Sequence, residues 1–157
     1  MFKYFTASAV VFNKMNEILL VKHKRFGLWI IPGGQLNEGE APHEAAVRET
    51  LEETGIKIEI IPMEQGISVP HCKELPRPFA VYAFDIAGGE PTLHDTIYIS
   101  RAVGGELSTQ FEEVDDAGWF SYDEFKRMET FENTAVTVAK AVEYITKADE
   151  EGRLKNG

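Results

Sequence analysis

Between residues 34 and 56 the chain reads GQLNEGEAPHEAAVRETLEETGI, and inside it one arginine and three glutamates fall as Arg48-Glu49-Thr50-Leu51-Glu52-Glu53 ahead of Gly55. On a helix turning about 100° per residue, with Glu49 at zero, Glu52 falls at about 300° and Glu53 at about 40°. The three carboxylates then share one arc of roughly a quarter turn. Val47, Thr50, Leu51 and Thr54 are expected on the opposite side, against a core, so that the acids aim into a cleft. Like charges at this spacing repel by a few tenths of a kcal/mol per pair. A cation offsets that repulsion, and hard oxygen ligands suit Mg²⁺ or Mn²⁺. Arg48 stands four residues before Glu52, so an ion pair can fix that carboxylate's rotamer. The cysteine and histidine pairs are poorer candidates. His71-Cys72 has no partner cluster in the sequence, and His94 beside Asp95 is discounted in the same way.

The rest of the chain must position this helix. Its 157 residues predict a single domain with a sizeable core, residues 1–157, of which about 5–147 form the body and 149–157 a frayed tail. Hydrophobic residues at 43% and charged residues at 27% are globular proportions and argue against disorder. A lone Cys72 makes no intrachain disulfide. The opening MFKYFTASAVVF is too short and interrupted for a signal peptide or membrane span, so a soluble, cytoplasmic protein without membrane contact is expected. The formal net charge of −10 disfavours a grip on a nucleic-acid polymer, which needs a basic footprint. It does not exclude a small phosphorylated substrate, because bound divalent cations invert the local field.

Strands are predicted over Phe5–Phe12 and Glu17–Lys22, joined by a polar turn at Asn13–Asn16, the second running into the basic Lys22-His23-Lys24-Arg25. A loop carries Gly27-Leu28-Trp29 and then Ile30-Ile31-Pro32-Gly33-Gly34. Pro42 suits the first helical position and Gly55 the one just past the end, giving a helix from Pro42 to Thr54. Ala41 is a poor N-cap, partly compensated by Glu44 reaching back to its N–H. Further strands are expected over Ile56–Ile61, Phe79–Ile86 and Thr96–Val103, with HCKELPRP as loop. Glu112–Asp116 reads as an acidic turn before Trp119-Phe120, followed by a short helix over Tyr122–Glu129. Val136, Ala139, Val142 and Ile145, with Ala135 and Ala141, predict an amphipathic helix from Asn133 to about Ala148. The fold class is therefore α/β, a mixed β-sheet between helices.

Gly34, Glu40, Arg48-Glu49, Glu52-Glu53 and Gly55-Ile56 stand at the fixed positions of the Nudix box, which the segment closely resembles; Thr50 replaces the usual aliphatic residue. The preceding Gly27–Gly33 and the later Glu112–Asp116 before Trp119-Phe120 are also similar to family segments. This resemblance to the Nudix (MutT-like) hydrolases implies an α/β/α sandwich and hydrolysis of a nucleoside diphosphate linked to another group, with Mg²⁺ or Mn²⁺. By the same resemblance, Glu49 and Glu53 are the firmest metal ligands, Glu52 follows, and the Gly33 carbonyl completes the shell. Arg48 has an orienting role, and Glu40 ties the loop. The general base is a box glutamate, Glu52 or Glu53, or one from the acidic loop, Glu113 before Glu112. Arg25 and the basic run are candidates for substrate phosphate. Among Phe26, Trp29, Tyr82 and Phe84, Phe26 is the first candidate to stack on a base.

Substrate choice is expected in loops outside the box: Arg25–Trp29, Glu64–Arg77 and Leu107–Glu113. A (d)NTP-type substrate is preferred, because the chain is short and shows no obvious N-terminal dimerisation domain; ADP-ribose or a nucleotide sugar is the alternative. A non-catalytic nucleotide-binding module is disfavoured by the intact box, and an isomerase acting on isopentenyl diphosphate by the isolation of Cys72. A homodimer is compatible with the sequence.

Overall fold

In the computed structural model, which describes residues 1–85, 88–108 and 112–152, the chain builds one large mixed sheet with helices on both faces. The elements in order are β1 (Tyr4–Phe12), β2 (Ile18–His23), β3 (Trp29–Ile30), β4 (Gly33–Gln35), α1 (Pro42–Thr54), β5 (Ile56–Ile60), β6 (Ser68–Val69), β7 (Cys72–Lys73), β8 (Ala80–Phe84), β9 (Leu93–Gly105), β10 (Val114–Phe120), α2 (Tyr122–Phe125) and α3 (Glu132–Glu150). The sheet runs β10-β2-β1-β9-β5, with β3 on β2, β4 on β1 and β8 on β9. β1 and β9 pair in parallel, and the other pairs are antiparallel.

Alternation along β1 sends its residues to two separate cores. Ala7, Ala9 and Val11, with Leu19, Ile56, Ile58 and Tyr98, pack against Ala45 and Ala46 of α1. Val10 and Phe12, with Ile18, Leu20, Ile97 and Ile99, pack against Phe125, Val138, Ala141 and Ile145. The result is an α/β/α sandwich. No helix among the described residues is long and apolar enough to cross a membrane.

Several expectations change. The loop after β2 holds two short strands, β3 and β4, recruited as partners by β2 and β1. The Pro-rich segment holds the hairpin β6–β7. Strands of two or three residues are too short to show a period. β9 starts at Leu93 rather than Thr96, because β1 and β8 both pair with its polar beginning. The acidic turn is largely strand: Asp115 and Asp116 sit exposed in β10, at an irregularity in its register with β2. The second helix ends at Phe125, and the third continues through Glu150, past the start expected for the frayed tail. Ile86, the last residue of one expected strand, and 153–157 lie outside the described residues.

α3 buries Thr134, Thr137, Val138, Ala141, Ile145 and Ala148, whereas Val136 is 54% exposed. Thr137 is tolerated inside because its hydroxyl donates to the Asn133 carbonyl at 2.6 Å and meets the Tyr82 hydroxyl at 2.7 Å.

Candidate active site

α1 lies as expected from Pro42 to Thr54. The Ala41 N–H donates to the Glu44 carboxylate at 2.9 Å, and Gly55, at φ 77°, closes the helix with its N–H on the Leu51 carbonyl at 2.8 Å. The facing of the helix matches expectation at Val47, Thr50 and Thr54 and differs at Leu51 and Glu53. Its buried residues are Ala45, Ala46, Thr50, Glu53 and Thr54, while Leu51 is 41% exposed. The acids Glu49 and Glu53 therefore lie on the packed side, and Leu51 does not. The two alanines opposite Ala7 and Ala9 bring helix and sheet close together, and Thr50 and Thr54 satisfy their hydroxyls on the Ala46 and Thr50 carbonyls of their own helix. The carboxylates of Glu49 and Glu53 then come down onto β4, which has no side chains at Gly33 and Gly34.

Glu53 is 6% exposed, and its Oε1 accepts the Gly33 N–H at 2.8 Å. Burial pushes its pKa up to about 8; the Gly33 bond opposes this, and the nearby Glu49, Glu113 and Glu52 add to it. Glu49 presses its carboxylate over Gly34, where a Cβ would stand 2.4 Å from Cδ. Burial also raises the Glu49 pKa, against the bond from Arg48.

Arg48 is saturated. Its Nε and Nη2 donate to Glu40 at 2.7 and 3.0 Å, Nη1 donates to Glu49 at 2.8 Å and Glu52 at 3.0 Å, and Nη2 reaches the Gln35 carbonyl at 2.9 Å. The Glu40 bond is the main cause raising the guanidinium pKa further, and Arg48 in turn lowers the Glu40 pKa. Glu40 also accepts the Asn37 N–H, so it clamps the loop before α1 as well as the arginine. Glu52 is 57% exposed and turned toward Arg48 rather than toward β4.

Glu113 is exposed at the start of the acidic segment, near enough to Glu49 and Glu53 to raise both pKa values. Its carbonyl accepts the Lys24 N–H at 3.2 Å, tying the acidic segment to the basic run. Glu112 is exposed beside it.

Among the described residues no three His, Cys, Asp or Glu side chains stand as a ready-made cation cluster. Glu49 is drawn to Arg48, and Glu53 to a backbone N–H. The donor chemistry nevertheless fits a hard divalent cation: a buried carboxylate held by a neutral donor, a second carboxylate against it, and others at the rim.

Beside the glutamates, Gly33 and Gly34 line a cavity of about 480 Å³ on the α3 side of the sheet. Phe26 lines it, 47% exposed, with its ring centroid 4.9 Å from His23 and 5.3 Å from Phe131. Arg25 is exposed, its guanidinium 5.5 Å from the Phe26 centroid. Phe84 lines the cavity too. Trp29 instead packs edge-on against Phe120 at 5.0 Å, and Tyr82 bonds Thr137, so these two belong to the core. Cys72 is exposed in β7 and does not line the cavity.

Sequence reasoning missed Thr6, Ser8, Asp95, Phe131 and Asn133, all of which line the cavity. Asp95 was set aside with His94. The signal that could have found it is a polar, acidic residue at an inward position of an otherwise apolar alternating strand.

Comparison with known proteins places this geometry. A model of the NUDIX domain matches residues 3–142. The chain is 55% identical over 49 residues to a Bacillus subtilis (strain 168) protein named "Putative 8-oxo-dGTP diphosphatase", covering 31% of this chain and 33% of that one. It is 26% identical over 121 residues to the NAD-capped RNA hydrolase NudC of Pectobacterium carotovorum subsp. carotovorum (strain PC1), covering 76% and 39% respectively. The chain thus spans little more than a third of the length of these curated relatives. A crystal structure of a NUDIX family hydrolase from Clostridium perfringens superposes with a TM-score of 0.78 at 23% identity, over 92% of this chain and 99% of that one.

Proposed function

Since the chain belongs to the NUDIX domain family, we propose that it hydrolyses the diphosphate bond of a nucleoside diphosphate linked to a further group, with (d)NTP-type substrates preferred. The observation that carries this reading is the meeting of Glu49 and Glu53 over the bare backbone of Gly33 and Gly34, at the lip of a cavity large enough for a nucleoside.

Glu49, Glu53 and Glu52 would hold Mg²⁺ or Mn²⁺, with the Gly33 carbonyl at the same edge. When bound, such a cation neutralises non-bridging phosphate oxygens and lowers the pKa of a coordinated water. The chain's own residues do the rest. Gly33 and Gly34 let the diphosphate lie against main chain, where any side chain would collide with Ser8 or Glu49. Arg48 keeps Glu49 and Glu52 in one place, and Glu40 keeps Arg48. Glu113, which Arg48 does not hold, takes the proton of the attacking water. Phe26 and Arg25 meet the nucleoside and its phosphates at the mouth of the cavity.

The test is a panel of (d)NTPs, ADP-ribose and nucleotide sugars with Mg²⁺ and Mn²⁺, both products being identified by mass spectrometry. Metal-dependent cleavage that disappears in Glu53→Gln and falls about 10²–10⁴-fold in Glu113→Gln is the expected result. Undiminished turnover in Glu53→Gln removes the site assignment, and no cleavage of any diphosphate removes the activity.

A further inference from the structure

The sheet face that packs α3 changes character along its length. On β1 it reads Thr6, Ser8, Val10, Phe12, and on β9 Asp95, Ile97, Ile99. Val10, Phe12 and Ile99 are sealed core, whereas Thr6, Ser8, Asp95 and Ile97 line the cavity. Asp95 lies in register with Thr6 on one side and Tyr82 on the other, so it is held in the middle of three paired strands. Its Oδ1 receives the Thr6 hydroxyl at 2.8 Å and the Ser8 hydroxyl at 3.4 Å, and the Thr96 backbone N–H also bonds the carboxylate.

A purely structural pin between β1 and β9 would not need a charge, because hydroxyl and backbone groups already pair there. Placing a carboxylate among Phe84, Ile97 and Phe131 costs free energy unless it finds donors. Those found within the protein are the Thr6 and Ser8 hydroxyls, both on Oδ1, and the Thr96 N–H, with the His94 charge acting on the carboxylate as well; burial outweighs them and raises the Asp95 pKa. Each carboxylate oxygen accepts two hydrogen bonds, so capacity remains toward the cavity. The ligand that completes it is flat enough for the aromatic walls and carries N–H groups on one edge.

We propose that Asp95 is the specificity-determining residue of this cavity and selects a guanine-type base, whose ring N–H and adjacent exocyclic amino group together match one carboxylate. This deepens the reading of the chain as a nucleotide diphosphohydrolase and rests on it. An adenine edge presents an acceptor beside its amino group and turns one contact into a repulsion. A uracil edge flanks its single N–H with two carbonyls. The hypoxanthine ring keeps the N–H and loses the amino group, so it falls between. Gly33 and Gly34, which line the same cavity, leave the phosphates beside Glu49 and Glu53.

Calorimetric titration with GMP, IMP, AMP and UMP tests this without turnover, since monophosphates contain no diphosphate bond. The wild-type protein should bind GMP on the order of tenfold more tightly than AMP or UMP, with IMP intermediate. Asp95→Asn presents one acceptor and one donor, so it should weaken GMP and strengthen AMP, an exchange that mere loosening of the fold would not produce. Equal affinities across the wild-type series, or a uniform weakening of all four ligands in Asp95→Asn, overturn the proposal. The wild-type series decides alone if the variant does not fold. Hydrolysis of GTP and ATP with equal kcat/KM and no base order in binding refutes the role of Asp95 and leaves the diphosphohydrolase standing. A guanine order in binding with no hydrolysis of any nucleotide does the reverse.

Discussion

Glu53→Gln in metal-free protein measures what the fold sacrifices to keep a carboxylate under α1. The Glu53 pKa moves from 4.5 to about 8, with burial as the largest cause. Each decade of proton affinity is worth about 1.4 kcal/mol, so the interval corresponds to a ceiling of about 5 kcal/mol. The native state holds a proton that the unfolded chain has released between these values. Stability of the metal-free protein therefore falls as pH rises from about 4.5 to about 8, and this contribution is constant outside that window. Glutamine keeps an acceptor for the Gly33 N–H and cannot ionise, which removes the slope. Urea denaturation followed by circular dichroism in a chelating buffer, at pH 5, 6.5 and 8, should find Glu53→Gln comparable to wild type at pH 5 and more stable by several kcal/mol at pH 8. Adding Mg²⁺ at pH 8 should restore the wild-type protein and leave the variant nearly unchanged, since a ligand at 100 times its Kd stabilises by about 2.7 kcal/mol. Parallel pH profiles for the two proteins, or equal responses to Mg²⁺, would show that Glu53 is neither strained by burial nor relieved by a cation.

Gly34→Ala should weaken the apparent Mg²⁺ affinity at least tenfold, because the new methyl would stand 2.4 Å from the Glu49 carboxylate carbon; Mg²⁺ titration of activity checks it, with unchanged circular dichroism as control. Arg48→Lys should lose nearly as much kcat as Arg48→Ala, since an ammonium cannot reproduce the fork that joins Glu40, Glu49, Glu52 and the Gln35 carbonyl; retention of most activity in the lysine variant would contradict this. Tyr82→Phe should cost about 1 kcal/mol by removing the bond to Thr137, read as a melting-point decrease of about 2–4 °C with hydrolysis unchanged.

The long elements were legible because they carry a period or a stop signal. Pro42 and Gly55 bracket α1 in sequence and in space, and β1, an apolar run ending at the polar turn Asn13–Asn16, could be bounded to within a residue. Short elements could not be read: β3 and β4 exist because β2 and β1 offer unpaired edges, which is a property of the assembled sheet. The helical wheel placed the three acids on one arc and Val47, Thr50 and Thr54 against the sheet, but it packed Leu51, which is exposed, and left out Glu53, which is buried. Hydrophobicity points to Leu51 as the anchor, whereas Ala45 and Ala46 make the close contact with Ala7 and Ala9 and the glutamates descend onto the two glycines. Asp95 was missed for a related reason. Its partners Thr6 and Ser8 lie at the other end of the chain, and only the parallel pairing of β1 with β9 brings them together.

The antiparallel pairing of β4 with β1 explains how one short strand can serve two tasks. β4 faces Ala7 and Ser8 of β1 through Gly34 and Gly33, and successive residues of a strand point to opposite faces. A side chain at Gly34 would enter the α1 face and strike Glu49; one at Gly33 would enter the α3 face and strike Ser8 beside Asp95. The two glycines thus keep both faces open at the same edge, carboxylates on one side and the cavity on the other, with only main chain between them. On the proposed reading, a substrate laid across that edge would place its diphosphate against Glu49 and Glu53 while its base reaches Asp95. Changes on the α3 face should consequently alter which molecule is bound without altering the metal requirement, and changes on the α1 face should do the opposite. Kinetics of Asp95→Asn and Gly34→Ala, measured together over a Mg²⁺ series and two bases, would expose any mixing of the two effects and so refute this division of labour.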